Sequence, residues 1–290
     1  MELRHLRYFL AVAEEQSFTR AAEKLLIAQP PLSFQIKQLE REIGVKLFVR
    51  SGRGISLTRA GVALKEGATK IMSLAAGTVE AARKVGRGEA GQLDVGVVGS
   101  AAYTRIPFAI GKFRQTHPDV SLRLWELSTP KQIELLLDSK LDVAIVRSSS
   151  ITFAGVKTNV LVNEPFVAAV PRKHPLARVK KAKPALLANE NFIVYPRDER
   201  PGLYVQVLKI CEQAGFEPRI VQQSSQIPTI LSLVAAGLGI AIVPASVLNT
   251  PWKGVIPLPL VTSYRSEIAV AALQSCDNPA AKPFLQSLLE

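Results

Sequence analysis

The chain is poor in the residues on which covalent and metal chemistry depend. Its 290 residues include two cysteines, three histidines, two methionines and two tryptophans, and aromatic side chains make up 6%. Cys211 and Cys276 share no metal-ligand spacing and build no disulfide framework. They read as reduced thiols in a cytoplasmic protein, small core hydrophobes rather than reagents. His5, His117 and His174 have no metal-binding spacing, and no G-x-S-x-G elbow occurs. An enzyme is therefore not expected, and Asp142 reads as a strand-edge residue rather than a catalytic one. Long apolar runs are also missing. The stretch 231–244 is interrupted by Gly237, Gly239 and Pro244, and the first apolar stretch is broken by Arg4, His5 and Arg7. Neither a membrane span nor an export signal is expected.

Acid is scarce relative to base. Asp and Glu number 24 against 36 Lys and Arg, for a net charge of +12. Such a balance suits an anionic partner without saying which. Apolar residues make up 48%, and the length suffices for two domains with large cores.

Residues 18–42 are the most informative segment. Ser17 stands where a helix N-cap belongs, and Phe18, Ala21, Ala22 and Leu25 form one apolar helical face. Leu26, Ile27 and Ala28 make a short turn. Pro30 and Pro31 fall in the first turn of the next helix, where a missing N–H costs little. Leu32, Ile36 and Leu39 form its buried stripe, while Ser33, Gln35, Lys37 and Gln38 face outward. Gln29 and Ser33, one turn apart, approach the same surface. Two helices joined this way are what a helix-turn-helix needs to enter a major groove. The alternative is a plain helical hairpin with a solvated polar face. Eight basic against three acidic residues between 16 and 60 favour contact with phosphates.

A first helix over 2–15 should bury Leu3, Leu6, Phe9, Leu10 and Ala13 against these two. After Gly44, segments 46–50 and 55–57 read as strands around a turn at 51–54. That is a small wing carrying Arg50 and Arg53, or else a solvated hairpin. Thr58 can cap a long helix to about Val85. Leu64, Ile71, Thr78 and Val85 recur every seven residues, with Ala68, Ala75 and Ala82 between them. This is the seam of a coiled coil, and it implies a dimer. The alternative is a helix packed on its own body. Gly86-Arg-Gly-Glu-Ala-Gly91 matches G-x-G-x-x-G literally, but a helix precedes it and a strand follows. The order is the reverse of a dinucleotide site, so the segment reads as a flexible hinge.

From residue 92 the texture is α/β. Strands are expected at 93–98, 120–125, 142–146, 165–170, 192–195, 239–243 and 268–273. Helices are expected near 102–116, 130–139, 203–214 and 228–237. In such folds ligands bind beyond the carboxyl ends of strands. Ser100, Thr129 and the loop 197–204 stand at such ends, each before a helix whose free N–H groups favour an anion. Thr129-Pro-Lys-Gln132 is also a good capping box, Ser100 could be a turn residue, and Arg147 could form an internal salt bridge as readily as hold a carboxylate.

With these parts in order, the chain resembles the LysR-type transcriptional regulators over essentially its whole length. The resemblance rests on the opening Met-Glu-Leu-Arg-His-Leu-Arg-Tyr-Phe, on Ser-Phe-Thr-Arg-Ala-Ala-Glu (17–23) and on Ala-Gln-Pro-Pro-Leu-Ser (28–33). Gln-Leu-Glu-Arg-Glu-Ile-Gly (38–44), Leu-Thr-Arg-Ala-Gly (57–61) and Leu-Val-Ala-Ala-Gly-Leu-Gly-Ile (233–240) support it. It implies an N-terminal all-α winged helix-turn-helix (1–58), a dimerising linker helix (59–87) and an α/β effector domain (88–290). That domain would have two lobes, like a periplasmic binding protein: lobe I at 92–163 and 264–290, lobe II at 164–263. The resemblance further implies a cytoplasmic regulator, activator or repressor, working as a dimer of dimers on double-stranded promoter DNA, with RNA polymerase as a partner and no cofactor.

Residue by residue, it places Thr19, Gln29, Pro30, Ser33, Phe34, Gln35, Lys37, Arg50 and Arg53 at DNA. Thr19, Arg50 and Arg53 suit phosphate or the minor groove. Phe34 stands where many members carry a basic residue; it can touch a thymine methyl but cannot hydrogen-bond a guanine. The linker seam would be Leu64, Ala68, Ile71, Ala75, Thr78, Ala82 and Val85. Ser100, Ala101, Thr129, Arg147, Pro201, Gly202 and Leu203 would hold the effector. Tyr195-Pro196 with Pro201-Gly202-Leu203 looks like the subgroup sensing muconate, benzoate or related acids. Regulators of acetoin-type metabolism look similar around 99–103, so the effector is expected to be a small organic carboxylate. Two rival readings are an exported solute-binding protein and a non-specific architectural DNA binder. The basic head argues against the first and the ligand-type domain against the second.

Overall fold

The structure, a computed structural model, describes residues 1–51, 54–147, 154–197 and 201–290. Two compact units divide the chain, Met1–Lys84 and Val85–Glu290.

In the first unit, α1 (Leu3–Glu15), α2 (Phe18–Lys24) and α3 (Gln29–Ile43) enclose a core of Leu6, Phe9, Val12, Ala21, Ala22, Leu32, Ile36 and Leu39. Leu3, expected inside, is exposed, and Leu10 is half-buried; His5, Ala11 and Val12 are buried instead. Ser17 caps α2 by accepting the Arg20 N–H. Pro30 lies in the first turn of α3, and Gly44 ends that helix with φ 81°. The wing strands β1 (Phe48–Ser51) and β2 (Gly54–Leu57) pair antiparallel. Phe48 packs on Phe9 at 5.3 Å and on Phe18 at 6.0 Å between ring centroids, which ties the wing to both first helices. Lys46 and Leu47 precede the strand; Leu47 donates its N–H to Glu40 of α3 and accepts from the Thr58 N–H.

Helix α4 (Arg59–Gly86) follows, with Thr58 accepting the Gly61 N–H as its cap. Gly61 sits where a Cβ would lie 2.2 Å from the Leu47 carbonyl oxygen, so only glycine lets the helix start so close to the wing. Ala68, read as a seam residue, is instead fully buried in the core of this unit, and Leu64 and Met72 pack beside it. The first part of the heptad is therefore spent on the chain's own body. Ile71, Thr78, Ala82 and Val85 are exposed, and Ala75 is half-exposed.

The second unit comprises β3 (Ala90–Val97), α5 (Ile106–Thr116), β4 (Asp119–Glu126), α6 (Thr129–Leu137), β5 (Val143–Arg147), β6 (Val156–Pro171), β7 (Asn191–Val194), α7 (Pro201–Gln213), β8 (Arg219–Gln223), α8 (Ile227–Ala235), β9 (Ala241–Pro244), β10 (Val255–Pro259), β11 (Arg265–Leu273) and α9 (Ala281–Leu289). The main sheet runs β10-β6-β11-β5-β3-β4, and β9 also pairs with β6. Strand β6 belongs to both halves. Residues 156–165 pair with β11, while 166–171 pair with β9 and β10. Two cores lie on either side of this crossing. One contains Leu93, Val95, Phe113, Val143, Ile145, Ile268 and Phe284; the other contains Phe166, Phe192, Val207, Ile210, Ile230, Leu231 and Ile242.

Strands β8 and β10, the first half of β6 and helix α9 escaped the sequence reading. Strand β8 is polar and largely exposed, and β10 carries Pro257 and Pro259, which suit it to the end of a sheet. The glycine segment follows directly on the boundary between the two units, and one of its glycines is packed. Gly88 is buried with φ +71°, and a Cβ there would fall 2.4 Å from the Pro279 carbonyl oxygen.

Candidate functional site

The outer face of α3 follows from its buried stripe. With Leu32, Ile36 and Leu39 inward, Pro30, Phe34, Lys37 and Arg41 form a continuous exposed ridge, flanked by the half-exposed Gln29 and Ser33. The Arg41 guanidinium sits 6.0 Å from the Phe34 ring centroid, a cation–π contact that places a positive charge over the ring. Arg41 is one of the eight basic residues between 16 and 60, and its place one turn after Lys37 on the same face is the signal that singles it out. Thr19 and Arg50 are exposed. Arg53 lies outside the described residues.

Gln35 departs from its expected place. It is half-buried against α1, and its Oε1 lies 2.8 Å from His5 Nε2. The Glu2 N–H donates to His5 Nδ1, so Nε2 carries the imidazole proton and Gln35 accepts it. Gln35 thus anchors α3 to α1 rather than standing free on its outer face.

Glu40 secures the other end of that helix. Its carboxylate accepts from the N–H groups of Leu47 (2.9 Å) and Phe48 (3.3 Å) and pairs with Lys46 at 2.9 Å. Burial acts to raise its pKa, but the Lys46 ammonium and the two N–H groups outweigh it, so the carboxyl sits below its usual range.

In the second unit the candidate effector residues gather at the carboxyl ends of β3 and β5. Arg147 ends β5 and is buried. Its guanidinium donates to Ser100 Oγ at 2.7 Å and to Ser266 Oγ, and its backbone N–H donates to Thr129 Oγ1 at 3.1 Å. Ser100 comes from the turn after β3, Thr129 from the first residue of α6 and Ser266 from the start of β11. Two segments far apart in sequence thus fix the guanidinium, and a third holds the Arg147 backbone, at the carboxyl end of β5.

Ser266 was missed, since a serine in an apolar strand gives no signal until β11 is laid antiparallel to β5. The capping box at Thr129 does not form. Ser128 holds the N-cap position, Thr129 turns to Arg147, and Gln132 donates to the Leu127 carbonyl oxygen. Ala101 and Leu203 pack their side chains into the core of their own halves, unlike Ser100, whose hydroxyl turns to Arg147. Pro201 and Gly202 open α7.

Where the halves meet, Tyr103 from the turn after β3 packs against the core containing Phe166. Beside it, Glu164 of β6 accepts from Ser246 at its N–H (2.6 Å) and hydroxyl (3.0 Å), directly after β9. Among the described residues no cluster of His, Cys, Asp and Glu could hold a metal ion. No helix among them is long and apolar enough to cross a membrane.

Comparison with known proteins matches both units. Residues 3–62 match the family described as bacterial regulatory helix-turn-helix protein, lysR family, and 86–290 match the LysR substrate binding domain. The HTH-type transcriptional regulator AlsR of Bacillus subtilis is 36% identical over 291 residues, covering 98% of this chain and 94% of its own. BenM of Acinetobacter baylyi, another HTH-type transcriptional regulator, is 37% identical over 263 residues, covering 90% and 86%. The crystal structure of full-length CbnR with its target DNA superposes with a TM-score of 0.85 at 30% identity, covering 99% of this chain and 98% of that one.

Proposed function

The chain belongs to the LysR family of bacterial transcriptional regulators, and from that premise we propose that a small organic anion bound between the two halves of the second unit modulates its promoter binding or activation. The observation that carries this reading is Arg147. A buried guanidinium at the carboxyl edge of the sheet, aimed by Ser100 and Ser266, is a fixed positive charge where α/β folds take their ligands. Ser100 accepts from Arg147 and keeps its own O–H to donate. Thr129, half-exposed, stands beside it at the start of α6. Gly202 offers a second helix N-terminus from the other half.

On DNA, the ridge of Pro30, Phe34, Lys37 and Arg41, with Gln29 and Ser33, enters the major groove. Gln29 and Ser33 read base edges, Phe34 meets a thymine methyl, and Thr19, Arg50 and Arg53 contact the backbone or minor groove. Ile71, Ala75, Thr78, Ala82 and Val85 form the linker seam of a dimer, and dimers pair into a tetramer. The effector acts through its different affinity for two arrangements of these subunits, and this shifts the spacing of the DNA-binding heads.

A nuclease footprint on DNA flanking the protein's own gene, with and without a panel of aromatic and aliphatic acids, tests the reading. A protected region that shortens or shifts with one acid supports it and names the ligand class. Protection that no acid alters removes the organic-anion effector. No protection on any flanking DNA would remove the regulator reading at that locus.

A further inference from the structure

We propose that the outer edge of the second half of this unit, along β10, is an electrostatic track for the phosphate backbone of duplex DNA. The proposal goes beyond the recognition helix but rests on the chain being a DNA-binding protein. Residues 85–290 contain 22 Lys and Arg against 16 Asp and Glu, so the unit is positive by six. Arg172, Lys173, Arg178, Lys180, Lys181 and Lys183 account for all of that excess, because no acidic residue occurs between Glu164 and Glu190. All six are exposed. Among the described residues none of them has a carboxylate within ion-pair distance.

The fold lines them up. Arg172 donates its N–H to the Gly254 carbonyl oxygen, which sets it at the start of β10 beside the exposed Lys253. Ala182 bonds to Pro259 and Val261, which sets Lys180, Lys181 and Lys183 at the other end. The track is about 20 Å long at ~3.3 Å per strand residue. That is the rise of roughly six base steps at ~3.4 Å.

The chemistry favours nucleic acid over an acidic protein. Among the described residues, no large apolar side chain is exposed between Val160 and Leu186 or between Leu238 and Val261, so only Leu186 and Val261 themselves, at the Lys183 end, interrupt the polar surface. A protein interface needs an apolar core, whereas a phosphate backbone needs only charge.

The test is the salt dependence of full-length protein binding to a long random-sequence duplex. Each phosphate contact contributes about 0.9 to the slope of log K against log salt. K180A/K181A/K183A should lower that slope by about 2 to 3. K140A/K209A/K282A, which removes the same charge elsewhere on the unit, should leave it unchanged. All six lysines are exposed, so both variants should keep the native unfolding transition. Equal slopes for the two variants overturn the proposal. An unchanged slope combined with lost promoter activation would point to an acidic protein partner and overturn it equally. Because the probe is random DNA, a failed footprint at the gene and a failed track are separate outcomes.

Discussion

At the scale of single residues, the decisive groups are those that hold other groups still. Ser266 makes no claim in the sequence, yet its hydroxyl fixes one end of the Arg147 guanidinium while Ser100 fixes the other. Hydrogen bonds to charged groups are worth about 1.5–3 kcal/mol. Ser266→Ala should therefore weaken effector binding by about tenfold or more, while effector-free DNA binding stays at the wild-type level; calorimetric titration measures the first and a mobility shift the second. Glu40 has a pKa depressed in the fold, so its carboxylate stabilises the protein above the ordinary carboxylate range. That contribution disappears as pH falls through the depressed value. Glu40→Gln should cost about 1–3 kcal/mol near neutral pH and flatten this acid limb, read by urea unfolding across pH. Burial pushes the Cys211 thiol up to about 12, so thiol reagents should label it only on unfolding.

At the scale of elements, α4 shows how one periodic pattern serves two purposes. A heptad records that a face is apolar, not what covers it. Up to Ala68 the cover is the first unit's own core, which also receives Leu64 and Met72. Beyond it, Ile71, Thr78, Ala82 and Val85 are exposed. Ala68→Glu should unfold the first unit, since it buries an unpaired charge. Ala82→Glu should leave that unit folded and weaken self-association. Sedimentation with circular dichroism separates the two; a dissociated but fully folded Ala68→Glu protein would contradict the division.

At the scale of the whole molecule, the outer face of α3 and the Arg147 cluster lie in different compact units. Ser100→Ala should consequently abolish the effector response and leave promoter affinity intact. Loss of DNA binding in a mobility shift would sink that assignment. Within the second unit, β6 threads both halves and Glu164 grips Ser246 at the crossing. Neither half is a separate body in sequence, because the boundary falls inside one strand.

What the sequence determined by itself is whatever local periodicity and chain chemistry can encode. The helix-turn-helix, its Ser17 cap, its Leu32–Ile36–Leu39 stripe, the wing and the α/β order were legible because each is written within about a dozen consecutive residues. Strand β8, the proline-bearing β10 and the outer half of β6 were not, because pairing at sheet margins overrides a polar pattern. Tertiary structure alone decided that Gln35 turns to His5, that Ala68, Ala101 and Leu203 go inside, and that Thr129 abandons its cap for Arg147. It alone set Ser266 against that guanidinium, 119 residues away in the chain. The physical reason is common to all of them: a side chain's partner across the fold is chosen by which strands and helices come to lie side by side, and no window of neighbouring residues contains that choice.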